Sequence, residues 1–93
     1  MASIYSLRKK RDRLIQRINN HMDFLIGSVS TKSQNTPTFN LTFSVEGVTK
    51  SRYIPKDLVD AVRSKTKRYK TLKLLLKELG DINWELIHSG QEL

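Results

Sequence analysis

The chain contains no cysteine, which excludes disulfides and thiolate metal sites. Its two histidines, His21 and His88, stand far apart. His21 falls on an apolar stripe, where packing or a seam hydrogen bond explains it better than metal ligation. No metal or cofactor is expected. No apolar run approaches the roughly 18 residues that a membrane-spanning helix needs, and the opening MASIYSLRKKRDR lacks the apolar core of a secretory signal. A cytoplasmic protein without a membrane partner is the expectation. The four glycines and two prolines build no phosphate-cradling loop, and no histidine-acid-nucleophile set or carboxylate cluster assembles. Asp57 and Asp60 read as first-turn charges complementing a helix dipole. An enzyme is therefore not expected. Acid itself is scarce: 9 Asp+Glu face 17 Lys+Arg, a net charge of +8 on 93 residues, which favours polyanionic partners.

What is present is helical at both ends. Leu58, Val62, Tyr69, Leu72, Leu76, Leu79 and Leu86 recur at four-three spacing, which predicts a helix over 55–88 with one apolar side. Lys65 and Asn83 interrupt that seam. On a wheel of about 100° per residue, Arg63, Lys67, Lys70, Lys73 and Lys77 share an arc of roughly 120° on the other side. Pro55 suits a first helical position. Gly80-Asp81 is the weak point, and a continuous helix is preferred to a break there. Toward the N-terminus, Ile4, Leu7, Leu14, Ile18 and Leu25, widened by Ile15, Met22 and Ile26, predict a helix over 3–26. Lys9, Arg13 and Arg17 lie on its opposite face.

Between the helices, Gly27 ends the first one. Residues 28–37 read as a loop, with Ser28 to Thr31 a candidate short edge strand. Phe39, Leu41, Phe43 and Val45 alternate with Thr38, Asn40, Thr42 and Ser44, the period of a half-buried strand. Glu46-Gly47 is a turn signal, giving a hairpin over 38–54. A two-residue turn would force Glu46 to positive φ, so a three-residue loop is preferred. That register puts Tyr53 on the face of Phe39, Leu41 and Phe43, and Lys50 and Arg52 on the other.

The resulting fold is a single α+β domain over 1–93. It comprises two long antiparallel helices, coiled-coil-like, joined by a β-hairpin or a short three-stranded antiparallel ribbon. Residues 8 to 17 carry six basic groups and one acid, and 63 to 77 carry seven and none. Antiparallel pairing would bring these clusters side by side, and a bound polyanion would relieve their repulsion. Lys9, Arg13, Arg17, Lys50, Arg52, Arg63, Lys67, Lys70, Lys73 and Lys77 are thus the candidate nucleic-acid contacts, with DNA ahead of RNA. The longer helix overhangs the shorter. Its apolar end, Leu79, Ile82, Trp84, Leu86 and Ile87, is a candidate interface for a homodimer or a larger nucleic-acid-handling protein.

The run Arg52-Tyr53-Ile54-Pro55-Lys56-Asp57-Leu58-Val59, followed by Val62-Arg63, Tyr69, Leu72-Lys73, Leu75-Leu76, Leu79 and Ile82-Asn83, resembles a family of small uncharacterised prokaryotic helix-ribbon-helix proteins. These are often encoded beside transposases or on plasmids and phages. Gly27-Ser28 matches the Gly-Ser exit of the family's first helix. The cysteine-bearing loop of many members is replaced here, so no metal role carries over. The resemblance implies a mobile-element setting and no established activity; an accessory protein of a mobile element or phage is the expectation. Two functions are carried forward: backbone binding to nucleic acid by the basic helix faces, or a protein-protein inhibitor or adaptor acting on a nuclease or transposase complex. A membrane-surface helix pair fits less well, because the apolar stripes match each other better than lipid.

Overall fold

The computed structural model describes residues 3–31, 35 and 37–90. The parts of the expected loop at 32–34 and 36 lie outside the described residues. The element order is α1 (Ile4–Asn19), β1 (Ser28–Thr31), β2 (Phe39–Val45), β3 (Val48–Ile54), a 3-10 turn (Lys56–Leu58) and α2 (Val59–His88). The class is α+β, with the strands between the helices in sequence. Two compact units share the chain: residues up to Met22 with those from Lys70 onward, and Asp23–Tyr69. The long α2 contributes to both.

The expectation of two long helices is overturned at α1, which has 16 residues against 30 in α2. Ser3 opens α1 by accepting the Ser6 N–H at 3.1 Å, an N-cap bond that satisfies one of the free first-turn donors. Leu7, Leu14 and Ile18 bury one face. The helix stops at two successive asparagines, whose side chains compete for backbone hydrogen bonds. The Asn20 N–H reaches the Gln16 and Arg17 carbonyls at 3.2 Å each. His21 Nδ1–H caps the Arg17 carbonyl at 2.8 Å, so this histidine closes a helix instead of filling a seam. Met22 and Ile26 are exposed, not part of a stripe.

In the unit of residues 23–69 the three strands form one antiparallel sheet in the order β1-β2-β3. The hairpin between β2 and β3 pairs Val45 with Val48 around a two-residue loop. Glu46 has φ 51° and Gly47 φ 80°. Positive φ at both central residues gives the twist that a tight hairpin needs, and Glu46 adopts it despite its Cβ. The three-residue loop is therefore corrected, and with it every facing in β3, because a one-residue slip exchanges the two faces of a strand. Phe39, Leu41 and Phe43 stand opposite Ile54, Arg52 and Lys50, while Tyr53 pairs with Asn40 on the other face. Leu41, Ile54 and Val59 form the core, with Val29, Phe39, Phe43 and Val62 packed against it. The start of α2 thus covers the apolar face of the sheet.

Gly27 admits the chain to that sheet with φ 131°. Just before it, Phe24 stacks on Tyr69 with centroids 5.3 Å apart, and the Leu25 N–H donates to the Lys65 carbonyl at 3.1 Å. These contacts hold residues 24 and 25 out of helix and against α2, where a helix to residue 26 is expected from the sequence.

In the other unit the buried side chains are Leu7, Leu14 and Ile18 of α1 and Leu72, Leu75, Ile82 and Leu86 of α2. The three-four spacing of the α2 set is that of one helix face. Leu58 and Leu76, expected on the seam, are each 48% exposed. Leu58 belongs to the 3-10 turn, whose tighter winding puts it out of phase with α2, and Leu75 takes the inward position beside Leu76. The helix runs unbroken through Gly80 and closes at Gly90, whose φ of 80° and N–H bond to the Ile87 carbonyl (2.9 Å) make a left-handed cap. Among the described residues, no helix is long and apolar enough to cross a membrane.

Candidate nucleic-acid interface

In the unit of residues 23–69 the corrected hairpin register governs the charge. Arg52 projects from the same sheet face as Phe43, and its guanidinium carbon lies 5.2 Å from the Phe43 ring centroid. Arg63, from the second turn of α2, lies 5.8 Å from the Phe39 ring centroid. Cation-π contact of this kind orients a guanidinium while leaving its N–H groups available. Lys50 and Lys67 are exposed. None of these four pairs with a carboxylate among the described residues.

Lys65 and Arg68 are different. Asp23 receives a hydrogen bond from Lys65 Nζ and an ion pair from Arg68 at 3.5 Å. The Lys65 hydrogen bond, helped by the Arg68 charge, holds the Asp23 carboxyl below its ordinary range. Two of the seven basic groups between residues 63 and 77 are thereby committed inside the fold.

In the other unit, Lys9 lies 5.3 Å from the Tyr5 ring centroid, and Arg13, Arg17, Lys70 and Lys73 are exposed. Lys77 pairs with Asp81 at 3.1 Å. Lys10, with Ser6 and Leu7, shares the lining of a cleft with Glu78, Asp81 and Glu85. The start of the α1 basic run therefore meets acid across this cleft.

The expected apolar interface divides. Ile82 is 5% exposed and Leu86 0%, so both are used up in the core of their own unit, and Leu79 is half-buried. Trp84, at 67%, and Ile87, at 48%, face outward. The Trp84 ring stacks with His88 at 6.1 Å.

Sequence reasoning missed Asp23 and Phe24. Both fall inside the helix expected over 3–26, and each works through a partner more than forty positions away. The pairing of Arg52 with Phe43 was missed with the register. Among the described residues, no group of three or more His, Cys, Asp or Glu side chains is placed to hold a metal ion, and no buried side-chain nitrogen or oxygen lacks a partner. Comparison of the chain with protein-family models, with curated proteins and with solved structures finds no match in any of the three.

Proposed function

We propose that this protein is a non-enzymatic, cytoplasmic accessory protein that binds the phosphate backbone of nucleic acid, in the setting of a mobile element or phage. The observation that carries this reading is the quartet Lys50, Arg52, Arg63 and Lys67, which meets no described carboxylate within a single compact unit. A solvated helix face normally mixes signs, and residues 61 to 77 contain no acid. Four phosphate contacts imply a slope of about −3.6 in log K against log salt on duplex DNA, or roughly a hundredfold loss of affinity between 50 and 200 mM.

Titration of labelled duplex and single-stranded probes at those two salt concentrations is the test. The double variant Arg63→Glu with Lys67→Glu weakens binding and flattens the slope by about 2. Salt-independent binding, or an unchanged slope in the variant, rejects the assignment.

A second reading, a protein-protein inhibitor or adaptor on a nucleic-acid-handling complex, is supported by Trp84 and Ile87, large apolar side chains exposed at the end of α2. Under that reading the purified protein ignores free nucleic acid but co-purifies with a host complex, and Trp84→Ala abolishes the co-purification.

A further inference from the structure

A shallow open groove of about 360 Å³ lies within the unit of residues 23–69, lined by Phe24, Leu25, Ile26, Leu41, Phe43 and Arg52 among others. Its volume is near the small end of ligand sites, which run from about 300 to 1,000 Å³, and suits one planar ring with its attached sugar. The lining is mainly apolar and the rim is uncovered: Leu25, Ile26 and Val45 are all exposed. Arg52 is the single charged group of the lining, and it already lies over the Phe43 ring. Lys50, two residues along β3, stands opposite Phe43 in the sheet. An apolar slot with a ring-guanidinium pair on one side and a second cation beside it matches a molecule that is flat and apolar where it inserts and anionic where it continues.

A nucleotide of a single strand has that chemistry, and a paired base inside a duplex does not present its face. Aromatic rings and guanidinium planes are both stacking surfaces for unpaired bases. We infer that this groove receives one unpaired base of a single-stranded nucleic acid, seated on the Phe43–Arg52 pair, with Lys50 at a flanking phosphate. The inference rests on the backbone-binding reading and narrows its substrate to single strands.

The test compares three labelled probes of equal length by fluorescence anisotropy: oligo-dT, an abasic strand carrying the same phosphates, and a duplex. The wild-type chain binds oligo-dT more tightly than either of the others. Phe43→Leu keeps apolar volume and removes the ring, so it weakens oligo-dT binding about fivefold or more and weakens the abasic and duplex probes less. Arg52→Gln, at an exposed strand position, reduces the preference for oligo-dT over the abasic strand, and it carries the test if Phe43→Leu loses the cooperative melt of the wild type. Equal affinity for oligo-dT and the abasic strand overturns the base slot while leaving backbone binding intact. Binding to none of the three overturns both.

Discussion

Gly27 is the position where one methyl group should do most damage. A Cβ built there falls 2.6 Å from the Thr42 carbonyl oxygen, 3.0 Å from Leu41 Cδ1 and 3.3 Å from Phe43 Cβ. The first of these is backbone of the central strand, which is paired with Ser28 on one side and Ser51 on the other, so it cannot retreat without breaking a ladder. The φ of 131° adds strain that L side chains rarely tolerate, about 1–3 kcal/mol. Overpacking adds about 1–3 kcal/mol. Gly27→Ala should therefore cost about 2–6 kcal/mol, a large share of the roughly 5–15 kcal/mol available to a domain.

Gly80 is the internal control. It lies inside α2 with nothing within 4 Å of its would-be Cβ, so Gly80→Ala removes only the backbone freedom of glycine and gains about 1 kcal/mol. In urea melts followed by far-UV circular dichroism, Gly27→Ala lowers the midpoint sharply at unchanged m, and Gly80→Ala raises it. In thermal melts the second variant gains about 4–8 °C. A Gly27→Ala protein within about 0.5 kcal/mol of wild type, the range of an ordinary surface change, would refute the close approach of residue 27 to β2.

Substitutions at three other places test the turn, the buried face of α2 and the Asp23 ion pair. Glu46→Asn relieves a positive φ at a position where asparagine is at ease, and should stabilise the hairpin by about 1 kcal/mol; an unchanged melt would mean that the turn is not two residues long. Leu86→Ala empties a fully buried site and should cost about 2–5 kcal/mol, whereas Leu76→Ala, at a half-exposed position, should stay below about 1 kcal/mol; comparable losses would restore the original seam. Asp23 titrates below its ordinary value when folded, so its contribution is present above the unfolded pKa and fades as pH falls through the folded one. Wild type should thus exceed Asp23→Asn in stability near neutrality, and the two melts should converge in strong acid; a gap that widens on acidification would contradict the pairing with Lys65.

Local signals carried the α+β class and the placement of a ribbon between two helices, because alternation in Phe39–Val45 and helical spacing in residues 59–88 are properties of contiguous residues. Where distant groups decide, the same signals misled. The apolar residues Met22, Leu25 and Ile26 extend the first helical stripe on paper. In the fold, the Leu25 N–H is claimed by the Lys65 carbonyl and the Phe24 ring by Tyr69, partners no window of eighteen residues contains. At Glu46 the balance is energetic: the cost of a positive φ in one residue is set against the gain from placing Ile54 beside Phe39 in the core.

The charged surface shows the same division, and here the difference is measurable. Counted along the chain, Arg63 to Lys77 offer seven cations and no acid, which on duplex DNA would correspond to a slope of about −6. The fold engages at least three of the seven: Lys65 and Arg68 by Asp23, forty-two and forty-five positions earlier, and Lys77 by Asp81. The quartet Lys50, Arg52, Arg63 and Lys67, which meets no described carboxylate, gives a slope near −4 if these pairs persist on binding, and adding Lys65, Arg68 and Lys77 brings it to about −6. If the measured slope approaches −6, the carboxylates release their partners to the phosphates, and Asp23→Asn should then raise affinity without steepening the salt dependence, since the released cations are already counted in the wild type. If the slope stays near −4, the same substitution should steepen it by adding Lys65 and Arg68 to the contact set. One titration series on two proteins separates a preformed cationic surface from one completed by its ligand.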